Sequence, residues 1–315
     1  MGQFLAAITV ELTRTTKRSS GWRTAAAELV VRAKGDVMRM QIRIVFYLYW
    51  LLLMLYPVVS AVADEVVKLD TRPGVTQSFL LLESKKEPKG IILMFPGHWG
   101  VVKFKKTDDG FTVTKKGGGF TASIDTRTTY QKHGMVVALV APPSDIQGGM
   151  DTTFRSSEKY LADISAVITY LNQHYHKNIY LHGHCANSLS SASNATKLNN
   201  KGISGLILSS PRSRGRLGTV TDYTKGVINV PVLLVQHAND PCKGTPYRNL
   251  DKVKQFYESS SQKVDVIIVS GGDTTQVGPR SCQNRAHSFH GLQMETANAI
   301  ANWIQGKDFQ ARISD

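Results

Sequence analysis

The sequence predicts an α/β domain in which a doubly wound, mostly parallel sheet is preceded by an N-terminal antiparallel hairpin. Three observations carry this. Short apolar runs recur at 90–95, 135–140, 178–182, 206–209, 232–236 and 264–269, the pattern of strands buried on both faces. Helix-compatible stretches alternate with them, which implies a parallel sheet covered on both sides. The residues with chemical potential stand just after the runs, where an open α/β sheet gathers its functional loops.

The elements follow in order. Residues 65–69 and 76–83 alternate apolar and polar around Thr71-Arg72-Pro73-Gly74, a Pro-Gly turn signal for a hairpin. The run 90–95 ends in Pro96-Gly97-His98-Trp99-Gly100, and residues 101–119 are polar and rich in Lys and Gly, which predicts a surface excursion. The strand 135–140 stops at Ala141-Pro142-Pro143-Ser144-Asp145. Between 156 and 175, Leu161, Ile164, Val167, Ile168 and Leu171 recur at helical spacing and predict an amphipathic helix. The strand 178–182 leads into a turn at Gly183, and 186–198 is small, polar and helix-compatible. Three further strands and a last helix over 292–303 complete the domain, with no internal repeat and no low-complexity tract.

The chain has 315 residues, but its first 63 read as a separate matter. Arg39 and Arg43 precede an apolar run over 44–63 that contains Pro57 and ends Ala61-Val62-Ala63. A basic start, an apolar centre and a small-x-small site describe a secretory signal peptide over 38–63; an uncleaved membrane anchor of about 20 residues is the alternative. Residues 1–37 then form an upstream extension or tail, and 64–315 the domain, placed outside the cytoplasm as a secreted or periplasmic protein. Residues 1–63 hold eight basic and three acidic side chains of the chain's 38 and 24, so the remainder keeps a net charge of +9. Its lysines and arginines are scattered in pairs such as Lys85-Lys86, Lys105-Lys106 and Lys115-Lys116. No basic helix or aromatic-interleaved strip emerges, so a solvated surface is expected and not a nucleic-acid partner. Contact with a membrane is expected only if the signal segment stays uncleaved.

Three segments carry the chemistry: Gly183-His184-Cys185-Ala186-Asn187, Asn239-Asp240-Pro241-Cys242, and Cys282 followed by Ala286-His287-Ser288-Phe289-His290-Gly291. Their order is nucleophile, acid, histidine. A nucleophile at a sharp strand-to-helix turn needs small neighbours, and Gly183 supplies one; Asn187 stands where glycine is usual, and asparagine tolerates unusual backbone angles. A thiol at that apex gains from the helix N-terminus and from a nearby imidazole, both of which favour the thiolate. Asp240 is placed to orient the imidazole. His287 is preferred over His290 as the base because it follows a Gly- and Pro-containing loop. His182, His184 and His237 read as structural, and no His/Cys/Asp spacing looks like a metal site. Backbone N–H groups near Gly97 and His98, with that of Ala186, would make an oxyanion hole. The loops of Asp240 and His287 must meet in a triad, so Cys242 and Cys282 are expected to form a disulfide in an oxidising compartment, leaving Cys185 free; the alternative is two unpaired small hydrophobes.

With these residues placed, 65–305 resembles the α/β-hydrolase superfamily, and within it exported bacterial proteins related to dienelactone hydrolases and prolyl-oligopeptidase-like esterases. The resemblance rests on Thr71-Arg72-Pro73-Gly74, Pro96-Gly97-His98, Pro143-Ser144-Asp145 with Phe154-Arg155, the turn at Cys185, Asp240-Pro241-Cys242, and the segment from Cys282 to Gly291. It implies the α/β-hydrolase fold, with Cys185 as nucleophile, Asp240 as acid and His287 as base; serine is the usual nucleophile, and cysteine occurs in dienelactone hydrolases. The expected function is an exported hydrolase of ester-like or lactone-like small molecules that needs no cofactor. The alternative is a catalytically silent hydrolase fold that binds a ligand through the same cleft.

Overall fold

The computed structural model describes residues 38–41, 43, 45–47, 64–95, 101–108, 110–115 and 119–315. The chain divides into two units, Met1–Ala61 and Val62–Asp315. In the first, the described residues are helical and exposed. Pro57 and Ala63, on which the signal-peptide reading turns, lie outside the described residues. Among the described residues, no helix is long and apolar enough to cross a membrane.

The second unit begins with β1 (Glu65–Arg72) and β2 (Val75–Leu82), an antiparallel pair that turns through Pro73 and Gly74. Gly74 has φ +70°, a conformation that glycine adopts at no steric cost. Next come β3 (Gly90–Phe95), β4 (Val102–Thr107), β5 (Gly110–Lys115), α1 (Ile124–Lys132) and β6 (Met135–Val140). Then follow α2 (Thr152–Arg155), α3 (Glu158–Tyr175), β7 (Ile179–His184), α4 (Ser188–Leu198) and β8 (Gly205–Ser209). The chain closes with α5 (Val220–Tyr223), β9 (Val232–His237), α6 (Leu250–Glu258), β10 (Val264–Val269), α7 (Gln293–Ile304) and β11 (Arg312–Ile313).

The main sheet has the order β1-β2-β6-β3-β7-β8-β9-β10-β11. Only β1/β2 and β2/β6 pair antiparallel; every later pair in it is parallel. Side chains alternate across this sheet and fill two cores. On one face Ile91, Leu93 and Phe95 pack with Val167 and Leu171 of α3, Leu189 of α4 and Val253 of α6. On the other, Ile92 and Met94 pack with Tyr130 of α1 and with Ala297 and Ile300 of α7. All side chains of β3 and β6 are buried, which explains their unbroken apolar runs. Each such chain removed from water contributes roughly 1.5–3 kcal/mol before entropy is counted.

The hairpin is tied down electrostatically. Arg72 donates from Nε and Nη2 to Asp163 of α3, both at 2.9 Å, and from Nη1 and Nη2 to Asp145 at 2.8 and 2.9 Å. Thr71 Oγ1 also donates to Asp163. Asp163 is fully buried, so this clamp joins the sheet edge to the helix that covers it.

The structure departs from the sequence reading in several places. The excursion over 101–119 contains the antiparallel ribbon of β4 and β5. Its signal was the alternation of Val102 with Phe104 and of Phe111 with Val113, thinned by the intervening lysines and threonines; Phe104, Phe111 and Val113 pack against the second core. Helix α1 escaped notice because threonine and charged residues dominate it, yet Thr126, Thr129 and Tyr130 are buried. Helix α6 and the short α5 and β11 were also missed. Helix α3 starts at Glu158, with Ser157 Oγ accepting from Tyr160 N at 3.1 Å as its cap.

Candidate active site

Strand β7 delivers Cys185 at its end, and a short 3₁₀ turn, Cys185–Asn187, passes the chain into α4. Cys185 has φ +54°, a left-handed conformation that costs a non-glycine residue about 1–3 kcal/mol and concentrates at functional sites. Gly183 explains how the turn closes. A Cβ there would lie 2.2 Å from Ser191 Oγ, 2.5 Å from the Asn187 carbonyl oxygen and 2.8 Å from Ser188 Cα. Asn187, in contrast, has φ −81° and ψ −5°. The expectation that its asparagine absorbs an unusual backbone angle is therefore corrected: the strain rests on Cys185, while Asn187 is ordinary right-handed backbone whose side chain accepts from Arg155 Nη1 and, at 3.2 Å, from Ser190 Oγ.

The fold brings Cys185, His287 and Asp240 together from three loops. Asp240 follows β9, and His287 sits in the 3₁₀ turn Arg285–Ser288 ahead of α7. His287 Nδ1 lies 2.9 Å from Asp240 Oδ2. Cys185 Sγ shares a hydrogen bond with the His287 imidazole, and because Nδ1 is engaged by Asp240, Nε2 is left for the thiol. Asp240 is fixed from all sides: its Oδ1 accepts from Cys242 N at 2.9 Å, and its Oδ2 from Thr245 Oγ1 at 2.8 Å and Gln236 Nε2 at 3.2 Å. His290, the rival histidine, is exposed and bonded through Nδ1 to Gln293 Nε2 at 3.0 Å.

The electrostatics follow from this packing. Burial pushes the Cys185 thiol up, but the His287 charge, its hydrogen bond and the Ala186 N–H outweigh it and hold the thiol below its ordinary value. Burial pushes His287 down, and the thiolate and the Asp240 carboxylate together override it and raise the imidazole. Asp240 is lowered, its burial outweighed chiefly by the His287 charge. The arrangement favours a thiolate–imidazolium pair, and the two groups titrate as a unit.

Of the expected oxyanion donors, Ala186 follows the apex and its N–H bonds the Cys185 sulfur. Gly97 and His98 lie outside the described residues; the strand leading to them ends at Phe95, which pairs with Gly183. Cys242 and Cys282 are bonded to each other, with Cα atoms 4.2 Å apart, and Cys185 is free and half-buried. Cys185, Cys242 and His287 form the one His/Cys/Asp/Glu cluster among the described residues whose ligand atoms could share a metal ion. Cys242 spends its sulfur in the disulfide, so the set does not offer two thiolates.

His182, His237 and His184, read from the sequence as structural, each hold the scaffold around the site. His182 is fully buried, bonded through Nε2 to Ser209 Oγ at 3.0 Å, and pushed down to about 3 by burial, so it stays neutral. His237 Nδ1 accepts from Asn239 N at 3.0 Å, which makes Nε2 the donor to the Gly271 carbonyl 3.0 Å away and shapes the turn before Asp240. His184 bonds Ser209 Oγ at 3.1 Å through Nδ1 and packs its ring 5.0 Å from that of His287. Sequence reasoning gave no role to Thr245, Gln236 and Arg155. Arg155 Nη1 bonds both Asn187 and Ser190 from α2, and burial pushes its guanidinium down to about 10. Thr245 and Gln236 carry no sequence mark, Arg155 stood in the sequence only as part of the Phe154-Arg155 pair, and only the fold brings all three to the site.

The sequence matches no protein-family model and no curated protein. Solved structures do resemble it. A thermostable carboxyl esterase from Bacillus coagulans is 11% identical, with 78% of this chain and 99% of that one covered at a TM-score of 0.53. An α-β serine hydrolase homologue from Coxiella burnetii is 16% identical over 78% and 98% of the two chains at 0.51. The esterase Pf2001 of Pyrococcus furiosus is 12% identical over 78% and 92% at 0.51. The strand order, the helices on both faces and these likenesses together identify the α/β-hydrolase fold.

Proposed function

We propose that the chain is a hydrolase of ester-like or lactone-like small molecules, with Cys185 as nucleophile, His287 as proton shuttle and Asp240 as the group that orients His287. The observation that carries this reading is the hydrogen-bonded line from Cys185 through His287 to Asp240, with Cys185 held at φ +54°. The Cys185 thiolate attacks the carbonyl carbon, and the Ala186 N–H, with donors expected around Gly97 and His98, stabilises the oxyanion. Collapse of the adduct expels the alkoxide, which takes a proton from the His287 imidazolium and leaves a thioester on Cys185. Water, deprotonated by His287, then attacks the thioester and releases the acid and the thiolate.

A thiolate leaves more readily than an alkoxide when the adduct collapses. Activated esters and strained lactones are therefore the substrate class, and unstrained amides are not. We further propose that the protein acts outside the cytoplasm after removal of the segment over 38–63; N-terminal sequencing of the mature protein should begin at Asp64.

The test is turnover of short-chain activated esters by the wild type and by Cys185→Ala, with covalent labelling by a thiol-reactive ester probe alongside. Loss of both in the variant supports the mechanism. Undiminished hydrolysis by Cys185→Ala would assign the work to another residue or to water, and a wild type that neither labels nor turns over would leave a binding protein.

A further inference from the structure

The disulfide that ties the Asp240 and His287 loops together also stands beside the free thiol. Cys185 Sγ, Cys242 Sγ and a ring nitrogen of His287 all lie within 4.8 Å of one another. Cys242 is bonded to Cys282, and Cys185 is free. The buried Cys242 sulfur thus has both other sulfurs as neighbours, Cys185 within 4.8 Å and Cys282 bonded to it, and both of these residues are half-buried. The middle sulfur is held in place, because Cys242 N donates to Asp240 Oδ1 at 2.9 Å.

We propose that Cys185, Cys242 and Cys282 form an intramolecular thiol–disulfide exchange site. The Cys185 thiolate attacks Cys242 Sγ, an S–S bond forms between them, and the bond from Cys242 to Cys282 breaks with its electron pair leaving on Cys282. One disulfide replaces another, so no oxidant or reductant is consumed. The Cys185 proton passes to His287 and, by way of solvent, an equivalent proton ends on Cys282.

Exchange of this kind proceeds through thiolate attack on one sulfur of a disulfide, at a rate set by the thiolate fraction of the attacker and by its access. Both conditions are met here. His287 and the Ala186 N–H favour the thiolate of Cys185, and its sulfur lies within 4.8 Å of the Cys242 sulfur it would attack. The exchanged isomer has its nucleophile capped, so carbonyl chemistry at Cys185 stops, while the free thiol moves to Cys282. Return attack by Cys282 restores the resting isomer. The pairing state of one buried sulfur would then decide whether the site is open.

The experiment maps disulfides in the full chain and does not depend on any hydrolytic activity. Wild-type protein is held at mildly alkaline pH, quenched in acid to freeze exchange, denatured, blocked with N-ethylmaleimide and digested without reduction. The expected result is one blocked thiol per chain divided between Cys185 and Cys282, with a Cys185–Cys242 cross-linked peptide matching the Cys282 share. In Cys185→Ser the Cys282 label should disappear. Label confined to Cys185 in the wild type overturns the proposal. So does Cys282 label that persists in Cys185→Ser, because the disulfide would then be opening by another route. A protein that exchanges but hydrolyses no ester would defeat the hydrolase reading and leave this one standing, and the reverse holds equally.

Discussion

His287 Nδ1 and Asp240 Oδ2 stand 2.9 Å apart in a pocket where the Asp240 side chain is fully buried. Thr245 and Gln236 hold the same carboxylate oxygen from other directions. The pair fixes the imidazole ring plane, and with it which nitrogen meets Cys185. Asp240→Asn keeps the shape but removes the charge that supports the imidazolium. Ester turnover should fall on the order of 10²–10⁴-fold, the range of a general acid–base contribution, measured as kcat on an activated ester. Unchanged kcat would show that Asp240 only packs.

The shifts at Cys185 and His287 predict a bell-shaped rate profile. Cys185 is lowered from its ordinary 9.0 and His287 raised from 6.5 to about 10, so the ion pair exists between the two. On the acid side activity should fall as the thiolate is protonated, at a pH below 9.0. On the alkaline side it should fall as His287 loses its proton, above 6.5 and toward about 10. His287, raised on folding, adds stability that is fully present below 6.5 and is lost as the pH rises through about 10. A pH series of kcat/KM checks the first claim and urea melts across the same series the second; a rate still climbing well above that range would contradict the ion pair.

Gly183→Ala tests the closure of the turn. Its Cβ would meet two backbone atoms of the following turn, the Asn187 oxygen and Ser188 Cα, at 2.5 and 2.8 Å. The Ser191 hydroxyl can rotate away, but the backbone cannot. A loss of about 1–3 kcal/mol is expected from such overpacking, read from the urea midpoint. Turnover should fall as well, because the displaced backbone carries Cys185.

Arg72→Ala tests the clamp on the hairpin. It strips the buried Asp163 of the guanidinium that donates to it at 2.9 Å from both Nε and Nη2. Breaking one side of a buried pair costs about 3–5 kcal/mol, so the melting temperature should drop by many degrees. Asp145→Ala, which removes the partly exposed partner, should cost far less. Equal effects of the two variants would contradict the burial argument.

Much of the fold and the outline of the site were already legible in the chain. The strands of the sheet centre announce themselves because a strand covered on both faces must be apolar at every position, as β3 and β6 are. Helix α3 is readable because it buries a single stripe. Gly183 and the position of Cys185 after β7 mark the turn, since only a small residue fits against Asn187 and Ser188. Helix α1 and the ribbon of β4 and β5 were hidden, because polar residues dominate both while a few side chains do the packing.

What only the tertiary structure decided is which distant groups share one space. The sequence already favoured His287 over His290, and the fold adds the reason: His287 is turned inward onto Asp240 while His290 is left exposed. Thr245 and Gln236 enter the site with no motif to mark them, and the Phe154-Arg155 pair did not tell that Arg155 would reach Asn187. That Cys242 is at once the partner of Cys282 and the neighbour of Cys185 is a fact of three loops converging at one end of the sheet. Sequence patterns report burial and backbone geometry along the chain. Contacts across it are fixed by how helices and loops pack on the finished sheet.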